Sequence, residues 1–146
     1  MGYDFLATTP PSVVKLRPTG KVDKSFTNAI TQGISVFALA AAPEGKLLLG
    51  VSRTSGLVPI VRMNTNGTDD RSFQITGAPP TTCDSEARQL LVQEDGRILF
   101  TAALFEVAPI PPYANSENPV QFIIARLLPD GAWDKTFTPL YCDLPL

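Results

Sequence analysis

Histidine is absent from all 146 residues, and with it the commonest general base and the commonest transition-metal ligand. Cysteine is almost as scarce. Cys83 and Cys142 stand far apart with no Cys-x-x-Cys spacing, so no metal or redox motif is formed. The two thiols pair in an oxidising compartment or stand free, and the spacing leaves both open. Charge is low at 18%, with 12 Lys and Arg against 14 Asp and Glu, a net charge of -2. The cations are scattered singly, which excludes the basic stripe that nucleic-acid binding requires. Long apolar runs are missing too. The longest, Ile34 to Pro43, is too short to cross a bilayer, so no membrane insertion is expected. The opening residues, Met1 to Leu6, carry neither the basic nor the apolar region of a secretory leader.

What is present is repetition. A thirteen-residue segment occurs three times, at Val14–Phe26, Val61–Phe73 and Ala125–Phe137. Each copy places a basic residue, an aliphatic residue, Gly, Asp, Ser or Thr, and Phe at fixed offsets. The invariant scaffold is Gly20, Asp23 and Phe26, then Gly67, Asp70 and Phe73, then Gly131, Asp134 and Phe137. A second segment occurs twice between these copies, at Leu39–Leu49 and Leu90–Phe100, and reads as strand, acidic-Gly turn, strand. The strands that follow, Lys46 to Ser52 and Arg97 to Leu104, are continuous apolar runs, the pattern of strands buried on both faces.

Each unit therefore reads strand, turn, strand, variable loop, strand, turn, Asp-x-Ser/Thr-Phe. Strands are expected at Ile34–Ala42, Lys46–Ser52, Val58–Met63, Gln89–Gln93, Arg97–Leu104 and Phe122–Leu127, with the three Phe rings in equivalent, largely buried sites. The only helical feature expected is a possible turn around Asp84 to Arg88. The second unit is longer, mostly through Phe105 to Pro119, where Pro109, Pro111, Pro112 and Pro119 exclude a central strand. Short antiparallel strands repeating at this length point to an all-β chain of β-propeller blades. The expectation is one β-repeat domain over residues 1–146, with elements at 12–26, 27–73 and 74–137 and a tail at 138–146. It holds two complete repeats and a surplus N-terminal strand at Ser12 to Arg17, and the tail is expected to carry no hairpin.

The string Arg126-Leu127, Asp130-Gly131, Asp134, Thr136 and Phe137, preceded by Gln93, Asp95-Gly96, Arg97, Ile98 and Leu99, resembles the delta-sixty type repeat of bacterial β-propeller proteins. The likeness covers about residues 13–137. It departs at Ala42 and Glu44, where Gln and Asp are usual, and at Thr19, where Asp is expected. The resemblance implies a surface or secreted protein without an assigned enzymatic activity, and so an extracellular or cell-surface location.

The recurring Asp23, Asp70 and Asp134 admit two readings, one Ca²⁺ or sugar contact per blade or carboxylates that accept backbone N–H groups within a turn. Asn64 to Asp70 resembles an EF-hand loop only superficially, lacking flanking helices and a Glu at its twelfth position. The carboxylate pairs Asp69-Asp70 and Glu94-Asp95 fall in turns expected to be solvated, which suits neither acid of a hydrolase. Candidate interaction residues are Phe105, Ile110 and Tyr113 in the proline-rich insertion, and Trp133, which stands at a turn position. Trp133 serves as a stacking platform or packs between blades. The chain is accordingly read as a non-catalytic interaction or assembly module, with a lectin-like glycan binder as the alternative and no cofactor. A propeller blade is buried only between two neighbours, so the ends of a two-blade chain call for other polypeptide. The partner is a different protein or the chain itself, three copies giving a six-bladed ring.

Overall fold

Period-two alternation in apolar runs broken by Gly turns produces meandering hairpins, and these form a sheet. The computed structural model describes residues 13–27, 35–53, 58–79, 84–105 and 121–143. Strands β1 (Val36–Ala41), β2 (Leu47–Arg53) and β3 (Ile60–Met63) make the first unit. Strands β4 (Asp84–Val92), β5 (Ile98–Phe105), β6 (Gln121–Leu127) and β7 (Leu140–Asp143) make the second. All strand pairings are antiparallel. The sheet runs β1-β2-β4-β5-β6-β7, with β3 paired to β2, and does not close. A short pairing of Ser52 with Glu86 and Arg53 with Ser85 ties the two units together.

Two departures from the sequence expectation concern strands. Asp84 to Arg88 forms no helical turn. It is the start of β4, bulged between Ala87 and Gln89, because Ala87 is drawn into the contact between units. Residues 140–143, in the tail expected to carry no hairpin, pair with β6 as a fourth strand of the second unit. At the other end, residues 13–17 contribute only an isolated bridge, Leu16 with Val22, and the buried Val13.

The alternation in β2 explains where the core sits. Leu48 faces one way, into a cluster shared with Ile60, Phe73, Ala87, Phe100 and Leu127. Leu49 and Val51 face the other way, into a second cluster with Val13 and Met63, against which Phe26 packs. The first unit is thus covered on both faces, by the second unit and by the N-terminal element. Its β2 strand is a continuous apolar run for that reason.

Gly50 lies where three strands come close together. A Cβ there would sit 2.8 Å from the Ala87 carbonyl oxygen, 2.9 Å from Ala87 Cβ and 3.0 Å from Ala38 Cβ. Only the missing side chain lets β1, β2 and β4 approach so closely. Gly50→Ala is expected to destabilise the fold by about 1–3 kcal/mol through overpacking. Urea unfolding should show a lower midpoint with an unchanged slope; an unaltered midpoint would refute this account of the inter-unit contact.

Candidate functional site

The three repeated segments fold alike, bond for bond. In each, the residue at the basic position accepts from the Asp N–H, as in Asp23 to Lys15 (2.8 Å), Asp70 to Arg62 (2.9 Å) and Asp134 to Arg126 (3.0 Å). The Phe N–H then donates to the Asp carbonyl in every copy, at 3.1, 3.0 and 3.2 Å. Isolated bridges recur at matched places, Leu16 with Val22, Met63 with Asp69 and Leu127 with Trp133.

The Asp side chains complete the motif. Oδ1 of Asp70 accepts from the Ser72 amide (3.2 Å) and hydroxyl (2.7 Å), and Oδ1 of Asp134 accepts from the Thr136 amide (2.9 Å) and hydroxyl (2.6 Å). The other oxygen faces two cations. For Asp70 these are Arg62 Nε at 2.7 Å and Lys46 Nζ at 3.1 Å; for Asp134 they are Arg126 Nε at 2.8 Å and Arg97 Nε at 3.3 Å. Asp23 keeps the Ser25 bonds but, among the described residues, meets only the more exposed Arg17, at 3.4 Å. The sequence reading of Asp70 as a solvated turn acid is therefore corrected. Asp70 and Asp134 are buried, and their charge is neutralised by cations from two separate elements.

The basic residues after the hairpin glycines, Lys46 and Arg97, went unassigned at the sequence level. Their signal was present, since both stand one residue beyond the Gly of the repeated hairpin. With both oxygens of each buried Asp occupied, Asp70 and Asp134 present no free carboxylate face to a cation or a sugar. No group of three or more Cys, Asp or Glu residues converges into a metal cluster among the described residues.

The electrostatics follow from this geometry. Burial on its own would raise the Asp70 carboxyl, but the Ser72 hydroxyl, Lys46 ammonium and Arg62 guanidinium together hold it well below the usual carboxylate range. The Thr136 hydroxyl acts first on Asp134, with burial opposing and the Thr136 amide and Arg126 assisting, and brings it to about 2. The Asp70 carboxylate in turn raises Lys46.

The Phe rings are not equally buried, contrary to expectation. Phe73 is buried, but Phe26 and Phe137 are half-buried. Phe73 has the second unit against it, whereas no further unit covers Phe137 among the described residues. Arg62 and Arg126 stack over Phe73 and Phe137 at 4.7 and 4.9 Å, so one guanidinium serves both the Asp and the ring.

Trp133 is placed in the core at 8% exposure, edge-on to Phe100 with ring centroids 6.4 Å apart. Its ring is thereby withdrawn from the stacking role considered for it. Phe105 is half-buried at the end of β5, and Ile110 and Tyr113 lie outside the described residues. Cys142 is a free, exposed thiol on β7, and Cys83 lies outside the described residues. An open pocket of about 440 Å³ lies between β1, β4 and β5, lined by Leu39, Arg88, Leu91 and Thr101 among others. It gathers no set of titratable groups suited to acid–base chemistry.

A family model described as "Domain of unknown function (DUF5122) beta-propeller" matches residues 113–137, the stretch that carries β6 and the third repeated segment. The fold is that of β-propeller blades, set in a sheet that stays open. No curated protein and no solved structure matches the chain. No helix among the described residues is long and apolar enough to cross a membrane.

Two measurements probe this arrangement. The lowered Asp carboxyls contribute stability that is full above the ordinary value of 3.8 and is lost as pH falls through the folded value, about 2 for Asp134. Asp134→Asn should lower the urea midpoint at pH 7, and the gap from the parent protein should narrow as the pH drops from about 4 towards 2. A gap independent of pH would show that the charge is not what matters. Trp133→Ala, as a core truncation, is expected to cost about 3–5 kcal/mol; a loss below 1 kcal/mol would contradict its packing role.

Proposed function

We propose that this chain is a non-catalytic protein-interaction module, a structural subunit of a larger complex or part of a surface or secreted protein of the delta-sixty repeat type. The observation that carries this reading is that both ends of the array leave apolar surface uncovered. Val14, Leu16 and Val22 in the N-terminal element are 52, 56 and 55% exposed, and Leu140 and Tyr141 on β7 are 55 and 44% exposed. These residues sit at the two ends of the array, where each unit would meet the next. Within the array the apolar residues at matched positions are closed, for Met63, Leu127 and Trp133 are 0, 0 and 8% exposed. Apolar ends of this kind favour contact with other polypeptide.

The absence of His from the sequence and the engagement of Asp70 and Asp134 in ion pairs support a scaffold role over a catalytic one. A protein partner then finds a low-charge sheet whose Asp70 and Asp134 carboxylates are already paired internally. Extracellular or cell-surface placement fits the repeat resemblance and belongs to the same proposal.

Dye binding combined with light scattering tests the reading. The folded chain is expected either to exceed the single-chain mass or, as a monomer, to bind 1-anilinonaphthalene-8-sulfonate through its apolar ends while its near-UV circular dichroism stays native. Leu16→Lys with Leu140→Lys should suppress whichever signal is seen. A monomer that binds no dye would overturn the proposal.

A further inference from the structure

The joint between successive repeats occurs twice inside the chain, and it has two distinct halves. One half is donated by the earlier repeat. Thr27, one residue past the first Phe, donates its N–H to the Asn66 carbonyl at 2.8 Å, and Gln74, one past the second Phe, donates to the Asp130 carbonyl at 2.8 Å. The basic residue of the earlier repeat reaches a carbonyl one position further back. Lys15 Nζ meets the Thr65 carbonyl at 3.2 Å, and Arg62 Nη1 meets the Pro129 carbonyl at 2.7 Å.

The other half is the glycine turn of the later repeat. A Cβ on Gly67 would lie 2.0 Å from the Thr27 carbonyl oxygen, and one on Gly131 would lie 2.8 Å from the Gln74 carbonyl oxygen. The missing side chains are the sockets into which the earlier repeat fits. Gly67 and Gly131 are needed there on two counts, the close approach and the positive φ of 87° and 98°.

The same two halves stand open at the ends. Gly20 has the same left-handed backbone, φ 78°, and among the described residues nothing lies within 4 Å of a Cβ built on it. Among the described residues, the Pro18 and Thr19 carbonyls, which match Thr65 and Asn66, accept no hydrogen bond. At the far end the Thr138 N–H and Arg126 Nη1, which match Gln74 and Arg62, find no acceptor among the described residues.

The apolar surfaces agree. Leu48, Ile60 and Phe73 of the first unit are 0, 1 and 8% exposed because the second unit covers them. Their counterparts Leu99, Ile124 and Phe137 are only half-buried. The surface that covers such a face within the chain includes Leu127 and Trp133, and their counterparts in the first repeated segment are Leu16 and Val22, both more than half exposed.

We propose that a second copy of this chain docks its N-terminal element, residues 13–27, onto the outward face of the C-terminal unit, placing its Gly20 turn against Thr138 and Arg126. The inference rests on the interaction-module reading and names its partner. The occupant is another copy because each open half finds its complement in the repeat itself, and the described residues present one open half of each kind. Such an interface is heterologous, head to tail, with different residues on the two sides.

Head-to-tail geometry gives a test that a symmetric interface would fail. Gly20→Asn fills the socket with a residue that tolerates the left-handed backbone, and Thr138→Pro removes the donor. Light scattering should show the parent protein as an assembly, each variant alone at single-chain mass with native near-UV circular dichroism, and an equimolar mixture as a two-chain particle. The mixture forms one intact joint, from the donor half of the Gly20→Asn chain and the socket of the Thr138→Pro chain. Should either variant fold poorly, the pair Leu16→Glu and Ile124→Glu probes the apolar part of the same joint, with the same pattern expected. A parent protein at single-chain mass up to its solubility limit overturns the proposal, as do variants that assemble like the parent or a mixture that stays monomeric. A monomeric parent that binds the dye would refute docking between copies while leaving the interaction-module reading intact.

Discussion

The buried carboxylate of the repeated turn is the constraint on which the rest of the molecule depends. Asp70 and Asp134 lie within the fold at 6 and 2% exposure, and an unpaired charge at such depth is strongly unfavourable. Each therefore needs a hydroxyl and an amide on one oxygen and two cations on the other. The hydroxyl and amide come from two residues down the chain, which fixes the turn. One cation comes from the third strand of the unit, at Arg62 or Arg126, and the other from the hairpin between the first two strands, at Lys46 or Arg97. A single carboxylate thus clamps three segments that hydrophobic packing alone would leave free to slide.

The same arginine carries the clamp outward. Arg62 holds Asp70 through Nε, lies over the Phe73 ring, and donates an Nη1–H hydrogen bond to the Pro129 carbonyl of the next repeat. A planar guanidinium with several donors in one fork serves all three; a lysine has only a point charge to offer. Lys15, in the matching place, does reach Thr65 but leaves Asp23 to Arg17, and Asp23 is correspondingly the most loosely held of the three carboxylates. Stability within the repeat and adhesion between repeats are therefore coupled through one side chain.

The repeated turns were legible in the sequence because their geometry is local. Gly, Asp, Ser or Thr and Phe stand within a few residues of one another, and nothing distant is needed to place them. Burial was less legible because it belongs to neighbours. Phe26, Phe73 and Phe137 share a motif but differ in exposure according to what lies beyond each. Trp133 occupies a position filled by Val22 and Asp69 in the other copies, and its burial follows from Phe100 of the same unit together with the first-unit face it covers. Strand β4 was hidden by its alternation of Asp84, Glu86 and Arg88, which reads as a polar turn until Ala87 is seen pressed against Gly50. Strand β7 is short and follows Pro139, so only its pairing with β6 reveals it. Asp70 looked solvated because Asp69 stands next to it. The cations that bury it come from elsewhere in the chain.

The two ends of each unit are under very different constraints. The Gly96 turn and the Asp130-Gly131 turn lie together, for a Cβ on Gly96 would come within 3.3 Å of Pro129, and all the clamps and joints gather at that end. Strands β2 and β5 end, and β3 and β6 begin, at the opposite end, away from those clamps. Lengthening a flexible connection is thermodynamically mild, about 0.6 kcal/mol for each doubling. Sequence can therefore accumulate at one rim of the array without disturbing the other, which leaves that rim open to diversification while repeat-to-repeat spacing stays in register.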